Sequence, residues 1–120
     1  MTTTKLISKV LDYAKINKSG FTLNIKTLEP IKSRYVASYK ETQDSFSAND
    51  LQSVIAHALT HNNIVGGWYN NKDKRYYFDS NKIFDDLDEA IQFGLDNSQL
   101  AIFDIDNTNE IRLDNKTQTA

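Results

Sequence analysis

The sequence has 120 residues, 39% of them hydrophobic and 11% aromatic, which is enough for one folded domain with a modest apolar core. It contains no cysteine, which excludes disulfides, thiolate nucleophiles and cysteine-based zinc sites. No apolar run approaches the roughly 20 residues that span a bilayer, and the N-terminus lacks the apolar core of a secretion signal, so we expect a soluble, cytoplasmic protein.

Charge is distributed unevenly along the chain, although the net charge is only −2. Residues 1–78 carry 11 lysines and arginines against 6 acidic residues, whereas residues 79–114 carry 2 against 10. An acidic half favours a basic, nucleic-acid-binding partner. The alternative is that these acidic residues only keep the surface soluble.

The N-terminal half predicts two helices that enclose two strands. Apolar residues recur at helical spacing over residues 6–14, and strict alternation predicts a strand over residues 21–25. Pro30 marks a turn, and a second strand follows at residues 35–39. The cleanest helical period runs over residues 51–59.

Two histidines, His57 and His61, lie four residues apart on this second helix and share one of its faces. A zinc site needs at least one further protein ligand, and the sequence marks none. We therefore interpret them as surface histidines and predict neither a metal site nor a cofactor.

Residues 64–78 predict a β-hairpin on which the rest of the chain packs, since two aromatic-rich runs flank a polar loop. The hairpin contains the single tryptophan, Trp68, directly after the paired glycines Gly66 and Gly67. Paired glycines in a strand favour a β-bulge; the alternative is a pocket beside Trp68.

The C-terminal third predicts a helix and two strands. Asp86 and Glu89 have the spacing of a capping box before a helical stripe that runs to Leu95. The apolar run at residues 100–103 predicts a central strand, residues 110–113 a final edge strand, and residues 115–120 a polar tail.

The order α-β-β-α-β-β-α-β-β predicts one α+β domain over residues 1–114, with a mostly antiparallel sheet and about three helices on one face. No motif for catalysis accompanies it, because cysteine is absent, no Gly-x-Ser-x-Gly elbow occurs, and no pair of acidic residues stands out. We expect a protein that is not an enzyme.

Several segments together resemble a group of small proteins carried by phages, plasmids and conjugative elements of low-GC bacteria. The resemblance covers roughly residues 20–113 and rests on residues 39–43 (YKETQ), 66–68 (GGW), 76–80 (YYFDS) and 101–104 (AIFD). Such proteins often accompany genes that counter host defence, including anti-CRISPR inhibitors. The resemblance implies an inhibitor, which needs a stable scaffold and a complementary surface but no catalytic group.

The leading hypothesis is therefore a non-enzymatic protein that binds and inhibits a host defence nuclease, such as a CRISPR effector. An acidic face that imitates nucleic acid would occupy the positively charged channel of the nuclease. The candidate residues of this face are Asp79, Asp85, Asp86, Asp88, Glu89, Asp96, Asp104 and Asp106.

The alternative hypothesis is a small nucleic-acid-binding accessory protein that uses a basic, aromatic hairpin. Basic side chains neutralise phosphates, and aromatic rings stack on bases. The candidate residues are Lys40, Trp68, Lys72, Lys74, Arg75 and Tyr76. The competing interpretation is that lysines and tyrosines fill the two faces of a half-exposed sheet.

Overall fold

The chain forms an antiparallel sheet with three helices on one of its faces, in a computed structural model that describes residues 2–113. The α+β prediction is confirmed, and the predicted tail at residues 115–120 lies outside the described residues. The helices are α1 (Thr3–Ile16), α2 (Ser47–Leu59) and α3 (Leu87–Asp96). The strands are β1 (Phe21–Asn24), β2 (Glu29–Pro30), β3 (Tyr35–Ser38), β4 (Ser45–Phe46), β5 (Ile64–Asn70), β6 (Arg75–Phe84), β7 (Ala101–Asp104) and β8 (Asn109–Arg112).

Two of these strands, β2 and β4, have two residues each and are missing from the predicted order. Segments this short carry no alternation of apolar and polar residues, so the pattern that reveals the longer strands cannot reveal them. None of the three helices in residues 2–113 has the length and apolarity that a bilayer crossing requires.

Strand β6 lies at the centre of the sheet, whose order is β2-β1-β5-β6-β3-β7-β8, and β4 also pairs with β6. The apolar run at residues 100–103 is therefore not a central strand, as predicted, because β7 lies beside the edge strand β8. Leu100 is 65% exposed and Phe103 is 37% exposed, so only part of the run is buried. The predicted edge position of the last strand is confirmed.

The hairpin of β5 and β6 pairs without interruption from Ile64 opposite Asn81 to Asn70 opposite Arg75. The predicted β-bulge at the glycines is therefore wrong. Because neighbouring residues of a strand point to opposite faces, Gly66 and Gly67 lie on different faces of the sheet. Each makes room for a neighbouring side chain: the Phe21 ring would lie 2.6 Å from a Cβ built on Gly67.

The helices cover one face of the sheet, which we call the covered face. Helices α1 and α2 pack on β1, β5 and β6 in an apolar cluster that contains Leu23, Val65 and Phe78. Helix α3 packs on β3 and β7 in a second cluster that contains Ala37 and Ile102. The three helices therefore share a single face of the sheet, as predicted.

The side chain of Tyr39 lies where helices α2 and α3 approach each other. Its ring makes edge-to-face contacts with His57, His61 and Phe93, with ring centroids 4.8, 4.9 and 5.0 Å away. The two histidine rings stack with their centroids 3.7 Å apart. Aromatic pairs of this kind contribute about 0.5–1.5 kcal/mol each beyond the area they bury.

Candidate binding groove

The face without helices, which we call the free face, bears a cavity to whose lining Tyr13 of α1 also contributes. Pro30 of β2 and Glu110 of β8 line the same cavity, of about 770 Å³, although these strands are the two edges of the sheet. Six steps between neighbouring strands would separate the edges of a flat sheet by about 29 Å. That residues of both edges line one cavity indicates that the sheet is curved, and we call this concavity the groove.

A cluster of three polar side chains forms the floor of the groove. Ser38 lies opposite Asn81 in the pairing of β3 with β6, and Asp79 is two residues from Asn81 on the same face. The Ser38 hydroxyl donates a hydrogen bond of 2.8 Å to Asp79 Oδ2. The Asn81 amide nitrogen, oriented to satisfy its neighbours, donates to Asp79 Oδ1 at 3.1 Å and to Ser38 Oγ at 2.9 Å.

Gly66 lies directly opposite Asp79 in the pairing of β5 with β6 and leaves space for this cluster. A Cβ built on Gly66 would lie 2.7 Å from Asp79 Oδ1 and would also collide with the Asn81 amide. The backbone N–H of Gly66 donates to the Asn81 amide oxygen at 3.2 Å. Glycine is thus required here by close approach of side chains.

The Asp79 carboxyl has an unusual proton affinity for an aspartate. Burial raises its pKa above the ordinary value of 3.8, because the charged form loses hydration, while the hydrogen bonds from Ser38 and Asn81 act in the opposite direction. Desolvation dominates, so this carboxyl binds its proton more tightly than a carboxyl in water.

Exposed aromatic side chains stand beside the polar floor. Trp68 is 48% exposed and stacks on Tyr77 across the hairpin, with ring centroids 5.6 Å apart. A second cavity, of about 360 Å³, adjoins the first, and both are lined by Ser38, Trp68 and Asp79. The aromatic pair and the carboxyl therefore belong to one continuous concave surface.

All charged side chains that line the two cavities within residues 2–113 are acidic. They are Asp44, Asp79 and Glu110, and no lysine or arginine of the described chain lines either cavity. The groove consequently presents carboxyl groups and aromatic rings to any bound molecule.

Of the eight predicted acidic residues, only Asp79 lies in the groove. Six others gather at the end of the sheet where β6 and β7 finish: Tyr35 pairs with Phe84 on one side and with Asp104 on the other, which places these neighbours about 10 Å apart. Asp96 lies at the far end of α3. We call this group the acidic corner, and its members are Asp85, Asp86, Asp88, Glu89, Asp104 and Asp106.

Members of the acidic corner differ in their contacts. Asp86 caps α3 by accepting the Glu89 N–H at 3.1 Å, as the capping-box spacing predicts. Asp104 is buried, and the hydrogen bonds donated by Asn107 lower the pKa of its carboxyl. Asp106 accepts a hydrogen bond from Arg34 at 3.4 Å. Three of the six carboxylates are thus engaged within the fold.

The residues of the alternative, basic site are only partly brought together. Lys72, Lys74 and Arg75 lie at the turn between β5 and β6, and we call them the basic tip. Trp68 lies near this tip on the free face, whereas Tyr76 points to the covered face, where its ring meets that of Tyr69.

Lys40 lies apart from the basic tip. It belongs to a short 3₁₀ helix, Lys40–Thr42, and its N–H donates to Asn97 Oδ1 at the end of α3. The Arg75 guanidinium is itself engaged, since it lies 4.2 Å from the centre of the Phe46 ring.

A third polar arrangement was not anticipated from the sequence. His57 Nδ1 lies 2.8 Å from Ser80 Oγ, and His57 Nε2 lies 3.1 Å from Glu41 Oε1. The residue types match a serine–histidine–acid triad, but Ser80 is 0% exposed beneath α2, so no substrate reaches its hydroxyl. The contact with Ser80 joins α2 to the sheet, and the contact with Glu41 joins it to the segment that follows β3.

The prediction that both histidines lie at the surface is correct for His61 but not for His57. The His57 side chain is 13% exposed because it lies under its partners, whereas His61 is exposed. No group of three or more potential metal ligands occurs within residues 2–113.

Comparison of the chain with protein-family models, with curated proteins and with solved structures finds no match. The resemblance to proteins of mobile elements therefore stays a prediction. Function has to be argued from the groove, the acidic corner and the basic tip.

Proposed function

We propose that this protein acts by binding, as a mobile-element inhibitor that docks its acidic corner against a basic surface of a host defence nuclease such as a CRISPR effector. One observation carries the proposal. Four exposed or half-exposed carboxylates lie together at the start of α3, and none of them forms an ion pair within residues 2–113. They are Asp85, Asp86, Asp88 and Glu89.

Unpaired carboxylates attract a cationic channel over several ångströms and accelerate association at low salt. A nuclease channel that binds the phosphate backbone offers such a surface. The α3 dipole also stabilises these carboxylates, so a test has to remove their charge without removing the helix cap.

The test compares two quadruple variants with the same change in net charge. The corner variant neutralises the four carboxylates of the acidic corner that lie at the start of α3 and keeps a capping side chain at position 86. Its substitutions are Asp85→Asn, Asp86→Asn, Asp88→Asn and Glu89→Gln. The control neutralises four carboxylates outside the predicted acidic face: Asp12→Asn, Glu29→Gln, Asp44→Asn and Asp50→Asn.

Each protein is used to capture partners from a bacterial host lysate, and cleavage by the recovered nuclease is then measured. We expect the corner variant to inhibit cleavage at least about tenfold less than the control variant, because it loses the attraction of four charges. Equal inhibition by both variants contradicts the role of the corner. Capture without any nuclease contradicts the proposed partner.

A second candidate function, nucleic-acid binding, is favoured by the exposed Trp68–Tyr77 stack beside the basic tip. Bases stack on such rings while lysines neutralise phosphates. A mobility-shift assay with single-stranded DNA and RNA at low salt tests it, with Lys72→Ala and Lys74→Ala combined as the variant. We expect a shift that weakens with salt and with the variant; no shift at low salt contradicts this function.

A further inference from the structure

The groove carries a binding hypothesis that does not depend on the acidic corner. Its two cavities meet at Asp79, Ser38 and Trp68, on strands at the centre of the sheet. A volume of about 770 Å³ for the larger cavity lies within the range of small-molecule sites. Its lining combines apolar walls with a few convergent polar groups, which is the usual composition of such sites.

We propose that the groove binds a small organic cation, an ammonium or amidinium group carried on an apolar body, with Asp79 as its counter-charge and Trp68 as an aromatic wall. The charges of the lining select this class of ligand. Asp44, Asp79 and Glu110 are all acidic, and no lysine or arginine of residues 2–113 lines either cavity, so an anion would meet no positive charge there.

Asp79 keeps acceptor capacity for such a cation. One of its oxygens accepts from Ser38 and the other from the Asn81 amide, and an ionised carboxylate has about four acceptor positions. Both contacts also fix the carboxyl in place, so a cation needs no rearrangement of the site. The absence of a side chain on Gly66 leaves that carboxyl unobstructed by β5.

Aromatic faces favour the same ligand. Trp68 is half exposed next to this carboxyl, and a cation over an indole or phenol ring is attracted by the negative face of the ring. Tyr77 stacks on Trp68 and holds the indole in position. An apolar body attached to the cation would cover Val36 and Phe103, which also line the larger cavity.

Binding of a cation is coupled to the proton of Asp79. A cation pairs with the deprotonated carboxylate, whereas burial raises the pKa of this carboxyl and so favours its protonated form. Affinity therefore rises with pH through the titration of Asp79. The other titratable groups of the two cavities are Asp44, Glu110, Tyr13 and Tyr77.

The experiment is a titration of the full chain, followed by the fluorescence of its single tryptophan, Trp68. The probes are 2-phenylethylammonium and benzamidinium, each compared with its uncharged counterpart, 2-phenylethanol or benzamide. We expect each cation to bind at least about tenfold more tightly than its counterpart, since only the cation is paired with Asp79. Equal affinity within each pair, or no response to either cation at millimolar concentration, overturns the proposal.

Two variants test whether Asp79 is the residue that selects a charged ligand. Asp79→Asn keeps the shape of the side chain, and we expect it to abolish the preference for each cation over its uncharged counterpart. Asp12→Asn, on α1 and outside the groove, is the matched control and retains the preference. A preference that survives in Asp79→Asn overturns the proposal.

The pH dependence of the unmodified chain gives a measurement that needs no variant. We expect the affinity for 2-phenylethylammonium to increase with pH while that for 2-phenylethanol stays constant. A cation affinity that does not change with pH contradicts the role of Asp79, even where Asp79→Asn fails to fold.

Discussion

The covered and free faces of the sheet are built from alternate residues of the same strands, and they differ in almost every property. Strand β6 places Phe78 and Ser80 beneath the helices, with exposures of 2% and 0%. Its intervening residues, Asp79 and Asn81, form the polar floor of the groove. The exposed aromatic side chains of the sheet, Trp68 and Phe103, are both on the free face.

This difference indicates that the two faces of the sheet have different roles. Apolar burial against the helices supplies the stability of the fold, because both apolar clusters lie on the covered face. The free face does not pack against helices. It can therefore hold a carboxyl group, whose burial in an apolar core would cost free energy, and exposed aromatic rings. Changes on the two faces should therefore have unequal effects on stability.

The largest expected effect comes from a cavity on the covered face. Leu51 is fully buried in α2, so Leu51→Ala should lower the free energy of unfolding by about 3 kcal/mol. Phe103→Ala, on the free face, removes a larger side chain, but one that is 37% exposed, and should cost about 1–2 kcal/mol. Urea denaturation of both variants measures the difference, and equal losses would contradict the division between the faces.

A smaller loss is expected from a methyl group added at Gly66. The new Cβ in Gly66→Ala would press on Asp79 and Asn81, and such overpacking costs about 2 kcal/mol. Asn81→Ala in the same chain gives the methyl group space, so the double variant should lose less than the sum of the single losses. Additive losses in urea denaturation would show that the crowding is unimportant.

The pH dependence of stability should have opposite signs for two carboxyls on opposite faces. Burial raises the pKa of Asp79, so the folded chain keeps this proton longer, and the contribution of Asp79 to stability falls as pH rises above 3.8. The pKa of Asp104 is lowered, mainly by Asn107, so its contribution is present above 3.8 and is lost as pH falls through the folded value.

Denaturation at several pH values separates these two contributions. At neutral pH we expect Asp79→Asn to be more stable than the unmodified chain and Asp104→Asn to be less stable. Both differences should shrink at acidic pH, where the carboxyls are protonated in the folded and unfolded chains. A stability difference of the same sign in the two variants would contradict the assigned pKa directions.

The smallest effect is expected at the ion pair of Arg34 with Asp106. The side chains of Arg34 and Asp106 are 42% and 37% exposed, and solvent-exposed pairs contribute about 0.2–1 kcal/mol. Asp106→Asn should therefore change the urea midpoint only slightly, and added salt should reduce even that change. A loss as large as that of Leu51→Ala would show that this end of the sheet has an unrecognised structural role.

Much of the fold follows from local patterns in the sequence. The helical stripes, the alternation of β1 and β3 and the hairpin loop are properties of neighbouring residues, and these elements are where they were predicted. The position of β7 in the sheet was mispredicted, because strand order depends on pairing between distant segments. An apolar run indicates that a strand is at least partly buried, but it does not indicate which strands lie beside it.

The groove could not be predicted from these local patterns, because it too depends on pairing between distant segments. Ser38 and Asp79 are 41 residues apart, and only the register of β3 with β6 brings them together. The glycines were a usable signal, since a pocket beside Trp68 was one of the two interpretations of the pair. The curvature of the sheet, which brings Pro30 and Glu110 to one cavity, could not be predicted from the residues of β2 or β8.

The contacts of Tyr39 have a consequence for how the domain opens. Its ring touches side chains of both α2 and α3, whose apolar clusters would otherwise be separate packing units. Loosening either unit exposes this ring and weakens the other, which favours a single cooperative transition. Amide hydrogens beneath the two helices should then exchange with solvent at a common, globally limited rate.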